Sequence, residues 1–219
     1  MVVLLSASVF SEIQVAGKTI TAGGGAKLGH VISTAVREGL SGLESLVGIP
    51  GTVGGALRGN AAAHGTDVGQ WTQSATVMTR TAEMRTYQRD ELRFSYHDSN
   101  LDELVILKAE FQLEEAETAE LTTRMQKMWI VKKSQQPPSD ANAIPVFANP
   151  SWASAGSLID QAGLKGARVG EVQISERDAN FVVANPGATA RDVLRLVELM
   201  RSTVAEQVGV ELELALEIW

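Results

Sequence analysis

The sequence predicts an α+β protein, in which antiparallel hairpins and helices are mixed along one chain. Short segments with alternating apolar and β-branched residues occur in adjacent pairs, which is typical of hairpins. Longer segments instead repeat their apolar residues every three or four positions, as amphipathic helices do. Hairpins outnumber strand–helix–strand units, so the pattern favours antiparallel sheets over a parallel one.

Composition indicates a globular chain and excludes several classes of protein. Of 219 residues, 44% are hydrophobic and 21% are charged, which is ordinary for a chain with a buried core. The formal net charge of −7 argues against nucleic-acid binding, because such proteins neutralise phosphates with lysine and arginine. The lack of cysteine excludes disulfides and thiolate metal sites and fits a reducing cytoplasm. The 3 histidines lack the spacing of metal ligands, so we expect no metal site.

The N-terminal part of the chain is predicted to contain a strand, a hairpin and helices. Residues 1–5 are apolar but too few to cross a membrane, and we expect a buried strand. Residues 12–15 and 19–22 alternate on either side of a glycine and predict a hairpin. Residues 27–40 have apolar side chains at helical spacing, and residues 43–46 are predicted to form a short helix.

The middle of the chain is predicted to contain a second hairpin, a strand and a helix. Residues 75–80 and 84–88 form the predicted hairpin, and residues 104–113 alternate well enough to predict a strand. Residues 117–133 have helical periodicity, and their apolar stripe is typical of core packing. The predicted inner stripe is Leu121, Met125, Met128 and Trp129.

The C-terminal part is predicted to contain two helices and three strands. Residues 154–162 form a helix that ends before a glycine, and residues 168–174 and 180–184 are predicted strands. Thr189-x-x-Asp192 matches a capping box and predicts the start of a long helix. Residues 211–218 alternate in hydrophobicity and predict a final strand.

The most distinctive stretch is residues 48–56, with the sequence G-I-P-G-T-V-G-G-A. Glycine adopts positive φ without penalty and proline fixes φ, so this composition predicts tight turns and excludes a helix or strand interior. Successive backbone amides without nearby Cβ atoms suit anionic oxygens, such as those of a pyrophosphate. A purely structural turn is the alternative, because a glycine-rich loop alone is weak evidence for a ligand.

This stretch and several later segments resemble one family. Residues 48–56, continuing to Asn60 and Gly65, are similar to the flavin loop of UDP-N-acetylenolpyruvoylglucosamine reductases, the MurB family. The later segments follow the order of the family: F-S-Y-H-D-S at 94–99, L-I-D-Q-A-G-L-K-G at 158–166 and S-E-R-D-A-N-F at 175–181. The resemblance therefore covers nearly the whole chain.

The resemblance implies a fold, a reaction and a place in the cell. NADPH would pass a hydride to FAD, and the flavin would pass it to UDP-N-acetylglucosamine enolpyruvate, giving UDP-N-acetylmuramate in cytoplasmic peptidoglycan precursor synthesis. The implied fold is an FAD-binding lobe of the MurB/vanillyl-alcohol-oxidase-like type plus an α+β substrate-binding lobe. Residues 1–69 would be the remainder of the FAD-binding domain, whose first subdomain we expect to be missing. Residues 70–219 would be the substrate lobe, with C-terminal segments returning to the flavin side.

The resemblance also implies binding residues. Those expected to hold FAD are Gly48, Ile49, Pro50, Gly51, Thr52, Gly54, Gly55, Asn60 and Gly65. Tyr96 and Asn149 are expected to contact the UDP-sugar or the nicotinamide nucleotide. A half-buried packing role remains the alternative for Tyr96.

The three positions at which the family has its catalytic side chains are substituted here. The family has an Arg and a Glu that stabilise the enolate and a Ser or Cys that donates a proton. Those positions fall at His97, Ala215 and Pro145 respectively, and neither proline nor alanine has a transferable proton. The sequence leaves three hypotheses: a MurB-like enzyme, an inactive homologue that binds a nucleotide-sugar or a protein, and a redesigned or decayed sequence. It does not predict the oligomeric state.

Overall fold

The computed structural model describes residues 5, 7–102, 105–137, 142–216 and 218. The chain divides into two units, Met1–Ile130 and Val131–Trp219. This division differs from the predicted boundary at residue 69, because strands on both sides of that residue pair in one sheet. Most of the strand predicted for residues 1–5 lies outside the described residues.

The first unit is built on a five-stranded antiparallel sheet. The strands of the whole unit are β1 (Ile13–Ala16), β2 (Thr19–Gly23), β3 (Leu40–Ser41), β4 (Ala62–Ala63), β5 (Thr66–Asp67), β6 (Thr72–Met78), β7 (Met84–Gln88), β8 (Phe94–Ser95), β9 (Asp98–Ser99), β10 (Val105–Gln112) and β11 (Glu114–Glu115). Its helices are α1 (Leu28–Arg37), α2 (Val53–Arg58) and the first part of α3 (Thr118–Gln135). The main sheet has the order β1-β2-β10-β6-β7, and β3–β11, β4–β5 and β8–β9 form separate pairs.

Alternation along these strands places one face of the sheet in the core. Ile20 and Ala22 of β2 and Ala109 and Phe111 of β10 are buried in one cluster with the apolar stripe of α1. The two predicted hairpins, β1–β2 and β6–β7, are confirmed by their antiparallel registers. The helix predicted for residues 27–40 is confirmed but ends at Arg37.

The predicted inner stripe of α3 is wrong at Trp129. Leu121 is buried and Met125 packs partly against the core, but Trp129 is 44% exposed. Ile130 and Val131 are exposed as well. Consecutive helical residues point about 100° apart, so the exposure of all three shows that much of the circumference of α3 is uncovered at this turn.

The second unit combines a four-stranded antiparallel sheet with two helices. Its strands are β12 (Ala143–Pro145), β13 (Arg168–Val169), β14 (Val172–Ile174) and β15 (Phe181–Ala184), and its helices are α4 (Ala155–Gln161) and α5 (Ala190–Val208). The sheet order is β12-β15-β14-β13. The single strand predicted for residues 168–174 is instead the β13–β14 hairpin, because Gly170 adopts a φ of 56° and reverses the chain.

The long C-terminal helix is confirmed, whereas the final strand is not. Thr189 and Asp192 form both hydrogen bonds of a capping box at the start of α5. In the described part of residues 211–218, the only pairing is an isolated bridge between Leu214 and Phe147. Leu212 is buried and Leu214 is 36% exposed, so the alternating residues do not share one buried face.

Candidate functional site

The glycine-rich stretch begins as a turn and continues as a helix. Gly48 and Gly51 adopt φ values of 78° and 111°, as a turn requires. Thr52 is the N-cap of α2, and its hydroxyl accepts a hydrogen bond from the Gly55 amide at 3.4 Å. The expectation that this composition excludes a helix is therefore wrong for its second half. A Cβ on Gly54 would approach the Gly24 carbonyl oxygen to 3.1 Å, so the absent side chain allows the helix to pack closely.

The backbone amides in the second half of the stretch do not converge on one point, as an anion-binding site would require. The Val53 amide donates to the Ala26 carbonyl at 2.9 Å, and the Gly54 amide donates to the Gly24 carbonyl at 2.8 Å. The Gly55 amide is directed at the Thr52 hydroxyl. These donors serve the fold and are not aimed at one external anion.

What the stretch offers a ligand is an exposed backbone without side chains. Gly51 and Gly55 are both exposed. A Cβ on Gly51 would meet nothing within 4 Å, and one on Gly55 would meet only the Thr52 hydroxyl at 3.7 Å. We call Gly51 and Gly55 the glycine edge. A flat group such as a flavin can approach this edge closely, so the residues present fit the expected cofactor.

Asn60 is buried and has a structural role. The residue is only 4% exposed, and its Nδ2 donates to the Ser95 carbonyl at 2.7 Å. Its Oδ1 accepts from the Gly69 amide at 3.1 Å. Asn60 therefore holds the β8–β9 hairpin beside the end of α2. Gly65, with φ of 82°, lies in the turn between β4 and β5.

The β8–β9 hairpin presents Tyr96 and His97 at its turn. Tyr96 is 58% exposed, and the two rings meet edge to face with centroids 4.2 Å apart. His97 has a φ of 53°, which is uncommon for a residue other than glycine. The first unit therefore brings together the glycine edge, Asn60 and this aromatic turn.

Pro145 and Ala215 are neighbours in the second unit. The Ala215 amide donates to the Val146 carbonyl at 2.9 Å, next to the bridge between Phe147 and Leu214. Both Pro145 and Ala215 are exposed. The structure thus brings together two of the three substituted family positions, while His97 lies in the other unit.

Asn149 is also exposed and lies between β12 and α4. Its Oδ1 accepts a hydrogen bond from the Ala155 amide at 2.8 Å, where α4 begins. This bond fixes the orientation of the amide group. The role of Asn149 toward a ligand remains a prediction.

The sequence did not predict the roles of two buried polar residues, Asn180 and Glu44, which hold neighbouring parts of the chain in place. Asn180 is buried and holds the main chain of Phe147. Glu44 is 4% exposed and accepts bonds from the Gly42 amide at 2.6 Å and from Arg124 Nη1 at 2.9 Å. The Ser41-x-x-Glu44 spacing, which matches a capping box, was the available signal for Glu44. Asn180 lies in the S-E-R-D-A-N-F segment at 175–181, but that segment gave no indication of its bonds to Phe147.

Comparison with known proteins identifies the family. The chain matches the FAD binding domain at residues 1–87 and the C-terminal domain of UDP-N-acetylenolpyruvoylglucosamine reductase at residues 136–219. A UDP-N-acetylenolpyruvoylglucosamine reductase from Rhodopirellula baltica is 38% identical over 100% of this chain and 72% of its own length. The chain belongs to the MurB family. The predicted family and α+β fold class are thereby confirmed, and the chain has an FAD-binding domain.

Other MurB proteins agree in sequence and in structure. UDP-N-acetylenolpyruvoylglucosamine reductase 2 from Symbiobacterium thermophilum is 43% identical over 96% of this chain and 69% of its own length. The crystal structure of MurB from Thermus caldophilus superposes with a TM-score of 0.84 at 35% identity, covering 96% of this chain and 75% of that one. Within the described residues, no helix is long and apolar enough to cross a bilayer.

Proposed function

We propose that this chain is a MurB-like flavoprotein that binds FAD and UDP-N-acetylglucosamine enolpyruvate and catalyses the NADPH-dependent reduction slowly, in the cytoplasm. The observation that supports this proposal most is the glycine edge of a MurB-family FAD-binding domain, exposed beside the hairpin that presents Tyr96. Composition without cysteine is consistent with a reducing compartment.

The overall reaction requires one hydride and one proton. NADPH is oxidised to NADP⁺, the hydride is added to the terminal alkene carbon, and a proton is added to the neighbouring carbon, giving a lactyl ether. Bound FAD would relay the hydride from NADPH to the substrate. The glycine edge would lie against the cofactor, and Tyr96 and Asn149 would contact the nucleotide groups.

The substitutions at Pro145 and Ala215 reduce the expected rate. A proline at 145 cannot donate the proton, which must then come from water, and general acids typically contribute at least about 10²-fold. A methyl group at 215 cannot stabilise an enolate, and one such electrostatic group typically contributes about 10²-fold or more. We therefore expect turnover about 10⁴-fold below that of a relative with both groups.

A second candidate function is binding without turnover. The substitutions at Pro145 and Ala215 favour this second function, and so does His97, which is not a permanent cation like arginine. In this case the protein would hold the nucleotide-sugar, or a protein partner, with the fold of an enzyme. Turnover above a no-enzyme control separates the two functions.

The first test is cofactor binding to the purified chain, followed by flavin fluorescence and absorbance. A Cβ on Gly55 fits the protein, so Gly55→Ala should fold normally but hold the flavin away from the backbone and weaken FAD binding at least about tenfold. The matched control is Gly29→Ala, an exposed position of α1 where a Cβ meets nothing within 4 Å. Stoichiometric FAD binding that Gly55→Ala weakens and Gly29→Ala does not is the expected result.

Turnover is then measured by mass spectrometry of the sugar product with the FAD-loaded protein, NADPH and the enolpyruvyl sugar. Slow, enzyme-dependent formation of the reduced sugar supports the proposal. Binding of FAD and sugar without product indicates the second function. Failure to bind FAD at tens of micromolar contradicts the flavoprotein proposal itself.

A further inference from the structure

Arg58 lies on the same exposed face of α2 as the glycine edge. Val53, Ala56 and Leu57 form the buried side of this helix. Gly55 and Arg58 are exposed and three residues apart, which places them one above the other on the helix surface. A guanidinium therefore extends from the end of the surface on which the cofactor is expected to lie.

The Arg58 guanidinium is held at the turn that contains His97. Arg58 Nη1 donates to Asp98 Oδ1 at 3.0 Å and to the Ser99 carbonyl at 3.4 Å. The Ser99 hydroxyl donates back to the Arg58 carbonyl at 3.0 Å. The hydrogen bonds that this side chain donates to described residues both come from Nη1. The N–H groups of Nε and Nη2 therefore remain available to bind an anion.

We propose that Arg58 binds the carboxylate of the unsaturated substrate and so provides the permanent positive charge that His97 does not. This inference rests on the proposed function, because it assigns a binding residue for the same substrate. A guanidinium binds a carboxylate through two parallel hydrogen bonds, which neutral imidazole cannot do. A cation beside the carboxylate also stabilises the charge that develops on it as hydride is added to the alkene.

The alternative is an ordinary ion pair that only fastens the hairpin. Exposed pairs of this kind contribute little to stability and exchange partners easily. The Arg58 and Asp98 side chains are 48% and 65% exposed, and the Arg201–Glu198 pair on α5 is 48% and 63% exposed. Arg201 is therefore a matched control for the loss of one half-exposed arginine.

The test measures the affinity of the purified, FAD-loaded chain for two sugars by titration calorimetry. One sugar is UDP-N-acetylglucosamine enolpyruvate, and the other is UDP-N-acetylglucosamine, which lacks the carboxylate. Arg58→Met should weaken binding of the first sugar at least tenfold and leave binding of the second unchanged. Arg58→Lys should fall between Arg58→Met and the unsubstituted protein, and Arg201→Met should change neither affinity.

Asp98→Asn separates a binding role from a structural one. Asp98→Asn breaks the same ion pair as Arg58→Met but leaves the guanidinium in place. The guanidinium then has no counter-charge within the protein, so binding of the enolpyruvyl sugar should be retained or tightened. Equal losses in Asp98→Asn and Arg58→Met, or equal losses for both sugars, would overturn the proposal. An unsubstituted protein that binds neither sugar would instead contradict the proposed function and this inference together.

Discussion

Asn180 holds both polar groups of the Phe147 backbone. Its Nδ2 donates to the Phe147 carbonyl at 2.8 Å, and its Oδ1 accepts from the Phe147 amide at 3.0 Å. Phe147 faces Leu214 across an isolated antiparallel bridge whose flanking hydrogen bonds are made by Ala148 and Ala215. The backbone groups of Phe147 therefore point away from that bridge and need the Asn180 amide. This arrangement fixes the segment that follows β12.

Loss of the Asn180 amide should destabilise the protein strongly. Asn180→Ala removes two hydrogen bonds and leaves a buried N–H and a buried C=O without partners, which should lower the free energy of unfolding by about 2–4 kcal/mol. Urea denaturation of the purified variant measures this change. Asn142→Ala, at an exposed position just before β12, is the control and should change the value by less than about 0.5 kcal/mol. A loss below 1 kcal/mol in Asn180→Ala would contradict the structural role.

Sequence patterns predicted the elements that depend on neighbouring residues. The capping box of Thr189 and Asp192 and the two hairpins of the first unit were predicted, because turn and cap chemistry is contained in a few consecutive residues. The family was predicted for a similar reason, since its segments are short and ordered along the chain.

The predictions that were wrong concern features that depend on contacts between distant residues. Residues 211–218 alternate as a strand does, but a strand needs a partner along its length, and the described part pairs only at Leu214. The buried amide of Asn180 bonds to a residue 33 positions away. The amides of the glycine-rich stretch were expected to face a ligand. Those of Val53 and Gly54 instead donate to the carbonyls of Ala26 and Gly24, which lie in the turn between β2 and α1. No local pattern encodes such partners.

Lys132 should make stability depend on pH in the alkaline range. Burial removes water from its ammonium group and lowers the pKa of Lys132 from 10.5 to about 8. Between these values the unfolded chain binds more protons than the folded one, so the free energy of unfolding should rise as pH rises from about 8 to 10.5. Lys132→Met removes the cost of burying the charge and should stabilise the protein at pH 7 by about 1–2 kcal/mol. This is less than the full pKa shift would give, because the ammonium group is partly exposed to water.

The measurement is urea denaturation of the unsubstituted protein and Lys132→Met at pH 7, 9 and 10. The advantage of Lys132→Met should shrink as the pH rises. Lys127→Met, at an exposed position of the same helix, is the control and should show no such trend. A constant difference between Lys132→Met and the unsubstituted protein at all three values would contradict the expectation.

Restoring a hydroxyl and a carboxylate in the second unit should raise turnover. Pro145 and Ala215 are exposed and lie on adjacent segments, so serine and glutamate can be placed there without disturbing the core. The double variant Pro145→Ser, Ala215→Glu should form product up to about 10⁴-fold faster than the unsubstituted chain, because a proton donor and an enolate stabiliser, each contributing about 10²-fold, then act in the transition state. Loss of the proline should cost less than about 1 kcal/mol of stability.

Ile144 provides the control for that experiment, because it precedes Pro145 in β12 and successive strand residues point to opposite faces. Ile144→Ser combined with Ala215→Glu places the same hydroxyl on the wrong side of the strand. Product formation is compared for both double variants after loading with FAD, at equal flavin content. If the two variants turn over at the same rate, the added serine at 145 does not donate a proton, and the assignment of Pro145 to the family's donor position is wrong. A faster rate only in the variant with serine at 145 would show that this surface faces the reacting carbon.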